Sequence, residues 1–517
     1  SSSTSSPLFR SQKSLKLNDI HHKPDIKSIE LFSSSTSTDE ETDIKLQSDN
    51  NEEGVGAWIP LISVSSMKGL GPQRVKTMNL DLVVWHTPEE DGKKKKKKKE
   101  DVQWTVQVDA CAHRLAPLSQ GRVDPTTNCI ECPYHGWQFD SQGVVTAVPQ
   151  LDQEKSIEDV QRSRGSNVKT FPVHIVGDLL FVFLPSSLHG EMFPQSLLPE
   201  QYYPFLNQTK HKSIFVRELP YSVDFLIENF MDPAHIPFAH HKLQGTRDDG
   251  MPIKMKVLAN NFTHVQVTFN DITRDRKRDA FASFQRPSFY HYSERKGELL
   301  NEETFERDGE YEPSLPIFLA PISAGKCRIF LHDFPIKFLP KWLLHAGSNR
   351  FLNSDVWLHD TEREVIRRKE TIPEVSKKLC GMDYQYQSES DLGVSTFRNW
   401  WKRYGMADAP PHTFGMATLE QLGTTSLSRR EQIDPWEHHA KHCKTCRTAL
   451  SRMKKVQKGS MYVSIASSIL LRKKTVIALV GVALGLFTYE FVRRFATVIE
   501  GNSEVSGIGD RSSSASS

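Results

Sequence analysis

Between about residues 58 and 185, apolar positions come in short bursts cut by turn-forming or charged clusters, the pattern of strands rather than of amphipathic helices. The runs at 80–85, 104–108 and 179–183 are rich in Val, Leu, Phe and Trp and predict an all-β unit over 56–190. From 198 to 402, strand-like runs such as 264–268 and 327–331 mix with helical stretches around 228–241 and 352–362, so a mixed α+β unit is expected there. Near the end the pattern changes again. Residues 461–471 are moderately apolar, Arg472, Lys473 and Lys474 interrupt them, and 475–492 is apolar until Arg493 and Arg494. About eighteen residues at about 1.5 Å each just cross a hydrocarbon core, so a membrane anchor is expected over 457–495, as one transmembrane helix or a hairpin. Gly481 and Gly485 offer a flat face to a neighbouring helix. A buried core helix is the alternative for that run.

Composition narrows the picture. A chain of 517 residues with 38% hydrophobic content has room for two or three folded units plus tails. A net charge of +3 argues against nucleic acid as a partner. Residues 1–55 are rich in Ser and Thr, carry Arg10, Lys13 and Lys16 ahead of the first acid at Asp19, and lack apolar periodicity. Disorder is expected there, and the composition resembles an organellar transit segment. Within an insert at 91–101, Lys93 to Lys99 are all lysine, which reads as a solvated hairpin tip able to meet an acidic partner. Residues 496–517 are expected to form a disordered tail. Seven cysteines are few for a secreted disulfide scaffold.

The chemistry concentrates in two places. Cys111-Ala-His113 and Cys132-Pro-Tyr-His135 each offer one sulfur and one nitrogen, and the eighteen residues between them include Pro117, Gly121, Pro125 and Asn128, which let one loop fold opposite the other. That is the demand of a [2Fe–2S] cluster with Cys on one iron and His on the other. A zinc ribbon would use similar residue types. Further on, Asp232-Pro-Ala-His235 and His240 place two imidazoles five residues apart; with a distant carboxylate they would make the two-histidine, one-carboxylate face of an oxygen-activating mononuclear Fe(II). The run 352–362 holds candidate acids, of which Asp355 is chosen, with Asp360 and Glu362 as alternatives. A third motif, Cys443-Lys-Thr-Cys446, sits in an extension over 403–456 and reads as a redox-regulatory thiol pair within reach of a thioredoxin-like partner. His442 and Cys446, four apart on a predicted helix, leave a zinc site open.

The text around the first pair, Cys111-Ala-His113-Arg114-Leu-Ala-Pro117 and Cys132-Pro-Tyr-His135-Gly136-Trp137, resembles the Rieske signature of ring-hydroxylating oxygenases. Respiratory Rieske loops carry an extra disulfide-forming cysteine in each loop; here only Cys129 lies nearby, which favours the oxygenase kind. With the segments 395–404 and 428–432, the CxxC and the apolar C-terminal runs, the chain resembles the chloroplast Rieske monooxygenases that include pheophorbide a oxygenase and the translocon components. The resemblance implies an α+β chain in which an all-β Rieske domain precedes a helix-grip catalytic domain. It implies that Asp232 joins an iron-bound histidine to a cluster histidine of a neighbouring subunit in a homotrimer. It also implies ferredoxin as electron donor, O2 and a chlorophyll-type tetrapyrrole as substrates, and a plastid membrane, inner envelope or thylakoid, as location. A redox-sensing component of a plastid import complex, with little turnover, is the second hypothesis.

Overall fold

The computed structural model describes residues 55–67, 70–87, 102–185, 193–203, 206, 214–273, 276–298, 300, 307–332, 339–371, 384–404, 418–423, 425–470 and 476–501. The N-terminal segment expected to be disordered, the lysine run and Cys380 lie outside them.

The first unit is built from three small four-stranded sheets. Leu179–Pro185 pairs with Val55–Ser63 and Val173–Val176, and Leu80–His86 pairs with Gln73–Thr77 and Trp104–Val108. The third sheet joins Arg122–Val123, Ile130–Glu131, Gln138–Phe139 and Val145–Ala147 and carries the second Cys/His loop. Leu179–Pro185 is apolar at nearly every position, and six of its seven residues are buried. The cause is cover on both faces, the second supplied by the next unit, where Phe181 meets the ring of Phe318 edge-on at 5.7 Å.

That next unit is one seven-stranded antiparallel sheet, in the order Ile214–Leu219, Lys326–His332, Tyr311–Ser323, Phe289–Arg295, Arg276–Gln285, His264–Thr273, Lys254–Asn260. Helix α1 (Val223–Phe230) buries Val223, Phe225, Leu226 and Ile227. Helices α2 (Lys341–Leu352) and α3 (Leu358–Thr371) follow the sheet, separated by a 3-10 turn, Asn353–Asp355. Helix α4 (Leu392–Tyr404) packs on the last two strands of the order, and its Arg398 pairs with Asp224 at 2.7 Å and with Glu228 of α1. The sheet packed against α1 and α4 agrees with the mixed α+β unit expected here. The two units share one apolar core, and Met78 and Asn79 donate their amides to Pro321 and Ile322 across the junction.

The C-terminal segment forms a helical hairpin, α5 (Lys444–Leu470) and α6 (Val476–Glu500). A Cβ on Gly481 would sit 2.3 Å from Ser467 Oγ, and one on Gly485 would sit 2.1 Å from Ser464 Oγ, so the flat glycine face is taken up by the serines of α5. Helix α6 runs on to Glu500, into the stretch expected as tail. The expected single transmembrane helix is corrected: among the described residues no helix is long and apolar enough to cross a membrane. Glu490, Arg493 and Arg494 cut the apolar run of α6, and Lys454, Lys455 and Lys458 lie around the middle of α5.

Candidate metal centres

The two Cys/His loops are built alike. Cys111 N–H donates to Ala116 O and Leu115 N–H to Cys111 O; Cys132 N–H donates to Trp137 O and Gly136 N–H to Cys132 O. The fourth residue after each cysteine is left-handed, Leu115 at φ 57° and Gly136 at φ 71°. A tight reversal is thus imposed on both loops, at a cost where the residue is leucine. Asp109 braces the first loop by accepting from Ser119 N–H and Oγ, both at 2.7 Å. The result sets Cys111 and Cys132 in the same apolar cluster, with Phe139 and Trp85, and sets His113 against His135 with ring centres 4.6 Å apart. Trp137 stacks on His113 at 4.8 Å.

Burial, and then the Cys132 thiol beside it, push the Cys111 thiol up to about 11, so the two sulfurs are held close together in an apolar setting. His113 Nδ1 is buried and has no hydrogen-bond partner among the described residues. Two paired thiols and an orphaned imidazole nitrogen fit the two irons of a Rieske cluster. Cys129 is not in a disulfide; its thiol contacts Thr127 O and Thr146 Oγ at 3.4 Å.

The second constellation forms where α1 ends. Asp232 caps a 3-10 turn, Pro233–His235, by accepting from Ala234 N–H at 2.9 Å, and a short helix, Ile236–Ala239, then carries the chain to His240. Across from them the 3-10 turn between α2 and α3 swings Asp355 inward. His240 Nε2 lies 3.3 Å from His235 Nε2 and 3.3 Å from Asp355 Oδ2. The other ring nitrogens are committed: His235 Nδ1 donates to the Asp232 carbonyl, and His240 Nδ1 donates to Ser354 Oγ at 2.7 Å. The Nε2 lone pairs therefore face each other and the carboxylate. Phe351 stacks on His240 at 4.0 Å.

Burial drives His235 down to about 4, His240 down to about 3 and the Asp355 carboxyl up to about 7. Asp355 Oδ1 has no hydrogen-bond partner among the described residues. Both imidazoles are left neutral, the form that binds a metal, a divalent cation would draw the Asp355 carboxyl back to its ionised form, and the donor set, two nitrogens and one oxygen on one side, fits Fe(II) with positions to spare. The alternatives for the third acid lie elsewhere: Asp360 is exposed and accepts from Ser426 Oγ at 2.9 Å, and Glu362 accepts from Ser222 N–H at 3.0 Å. Burial lifts the Asp232 carboxyl to about 6, and its Oδ2 lies 4.0 Å from His235 Nδ1.

Cys443 and Cys446 are both buried and are not joined as a disulfide. The histidines beside them are His345 and His439, two residues absent from the sequence expectations. His442, the partner for Cys446 in the zinc alternative to a redox pair, instead lies near Glu218 and is driven down to about 4 by burial.

Residues 57–172 match the family model of the Rieske [2Fe-2S] domain. The chain is 28% identical to pheophorbide a oxygenase of Oryza sativa subsp. japonica, over 79% of this chain and 75% of that one. It is 28% identical to protochlorophyllide-dependent translocon component 52 of Arabidopsis thaliana, over 68% and 66% of the two chains. It is also 25% identical to flavonoid 8-hydroxylase 2 of Ocimum basilicum, over 79% and 76%. All three relatives are chloroplastic.

Proposed function

Taking the chain as a Rieske oxygenase related to these chloroplast enzymes, we propose that it is a plastid monooxygenase inserting oxygen into a chlorophyll-type tetrapyrrole, pheophorbide, chlorophyllide or protochlorophyllide. The observation that carries the reading is the buried meeting of His235, His240 and Asp355 in a chain that also holds two Cys/His loops. When bound, a [2Fe–2S] cluster at Cys111, His113, Cys132 and His135 supplies single electrons, and an iron at the second site supplies dioxygen activation. The chain's own residues supply orientation. Ser354 and the Asp232 carbonyl hold the protons of His240 and His235 on Nδ1, and Phe351 fixes the His240 ring plane. A sensor that never turns over would have no use for such a set.

Asp232 keeps 30% of its side chain exposed beside the ligand His235. We assign it the bridge to a second copy of the chain, which makes a homotrimer the working assembly and a ferredoxin its electron donor. The hairpin serves as the membrane anchor. Tyr462 and Ile469 of α5 and Leu479, Leu484 and Phe487 of α6 are all more than half exposed, an apolar surface that a lipid interior would cover. Neither helix need cross alone for the pair to hold the enzyme at a bilayer carrying a greasy substrate.

The test is anaerobic reduction of the purified protein with ferredoxin, then admission of oxygen with each pigment and, separately, a flavone, followed by mass measurement. A gain of one oxygen on one tetrapyrrole is expected. Oxygenation of the flavone alone replaces the substrate class, and no oxygenation with both iron sites filled moves the reading to a redox sensor. Flotation with thylakoid-lipid vesicles tests the anchor; a chain ending before Lys444 that floats equally well would overturn it.

A further inference from the structure

We propose that His345, His439, Cys443 and Cys446 form a structural zinc site that clips the C-terminal segment onto the helix leading to the iron ligand Asp355.

The ligand atoms come from places far apart in sequence. His345 lies on α2, 94 residues before His439 and 98 before Cys443. His439 Nε2 is 3.2 Å from His345 Nδ1 and 3.3 Å from Cys446 Sγ, and both sulfurs are 3.5 Å from His345 Nδ1. All four donor atoms lie within 4.8 Å of one another. A tetrahedral zinc with nitrogen at about 2.0–2.1 Å and sulfur at about 2.3 Å has edges of roughly 3.3–3.8 Å, close to the 3.2–3.5 Å of the four pairs just given.

Proton positions support a cation. The Val216 carbonyl can only accept, so His439 at 2.6 Å from it must carry its proton on Nδ1, and the Nε2 lone pair then points at the other three donors. His345 Nδ1 is approached by one imidazole nitrogen and two sulfurs at once, and a single proton there can serve only one of them. A metal ion at the common centre serves them all.

The environment selects the metal and its role. Every one of the four residues is less than 7% exposed, and Phe215 stacks on His439 at 4.5 Å while meeting His345 edge-on at 5.3 Å. Ala440, Leu450, Ala496 and Ile499 close the outside. Two thiols and two imidazoles in a shut apolar pocket suit Zn2+ and leave no position for substrate. The clip is a mechanical one: His345 lies on α2, whose C-terminal end runs straight into Asn353–Asp355, while Cys443 and Cys446 sit at the root of the hairpin. This reading does not rest on the identity of the oxygenase substrate or on the anchor.

The experiment is metal analysis of the purified full chain, with zinc-edge X-ray absorption on the same sample. The expected result is about one zinc per chain beside about three irons, with a shell of about two sulfurs at about 2.3 Å and about two nitrogens at 2.0–2.1 Å. The pair Cys443→Ser, Cys446→Ser loses the zinc while keeping the reduced-cluster spin-resonance signal, and His235→Ala keeps the zinc. The absorption measurement needs no variant, so a misfolded double variant does not block the test. Zinc below about 0.2 per chain in cluster-loaded protein, a shell without sulfur, a fourth iron in its place or a Cys443–Cys446 disulfide in freshly isolated protein overturns the proposal.

Discussion

Two ligand clusters hang on one helical run and differ in kind. At one end, His345 of α2 faces two thiols and a second histidine in a pocket shut on every side. At the other end, just past α2, Asp355 faces two histidines, and one oxygen of its carboxylate has no partner among the described residues. Two thiolates and two imidazoles in a closed shell suit an ion held for the sake of the fold, whereas three mixed donors on one side leave room for chemistry. On the proposed assignments the same few residues of helix would serve anchoring and catalysis, and the difference lies in how many donors arrive from the rest of the chain.

The largest expected effect breaks the catalytic end. Asp355→Ala should cost more than about a hundredfold in turnover, beyond the 10–100-fold typical when only a supporting partner of a ligand is lost. The bleached and reduced spectra of the cluster should stay as they are, since Cys111 and Cys132 belong to a separate apolar cluster. Turnover within tenfold of the parent would remove Asp355 from the iron.

Breaking the other end should read out in stability first. The Cys443→Ser, Cys446→Ser pair should lower the thermal midpoint by several degrees, at roughly 1 °C per kcal/mol for 517 residues with about 2.1 cal/mol/K of unfolding entropy each. Turnover of the fraction that stays folded should fall less than for Asp355→Ala. An unchanged midpoint would mean that the closed cluster carries no ion.

Smaller again is Ser354→Ala, which removes the acceptor of the His240 Nδ1 proton and keeps all three donors. Iron affinity should drop about 10- to 100-fold, with turnover restored by excess Fe(II). No rescue by iron would point to a lost backbone turn instead, because Ser354 Oγ also donates to Phe351 O.

What could be read beforehand follows from chain distance. Cys111 with His113, Cys132 with His135 and His235 with His240 are local spacings, visible as text, and the structure brings each pair together. Asp355 stayed one of three acids because 352–362 reads as one continuous helix, whereas the run breaks at a 3-10 turn and changes which side faces inward. His345 was invisible for another reason: nothing local marks a histidine that meets its partners 94 or more residues later. His439 could have been found, since it precedes Cys443 by four and Cys446 by seven, but a helix extended back to His442 points to the wrong ring. That helix starts only at Lys444.

The smallest effect separates two buried acids of the same run. Glu362 is 1% exposed, accepts the Ser222 amide at the start of α1 and is lifted to about 7, by burial first and by Asp224 next, from an ordinary value of 4.5. Because the folded value is the higher one, the folded state binds the proton more tightly than the unfolded chain. The stability this contributes is whole below about pH 4.5 and lost as the pH rises to about 7. Glu362→Gln keeps an oxygen for the Ser222 amide and cannot ionise. It should match the parent near pH 5 and exceed it by about 1–2 kcal/mol at pH 8 in denaturant unfolding, with iron content unchanged. A variant that is weaker than the parent at pH 8 would show that the positive end of α1 and Arg398 outweigh burial. One that loses iron would move Glu362 into the metal pocket and merge the two acids that the geometry keeps apart.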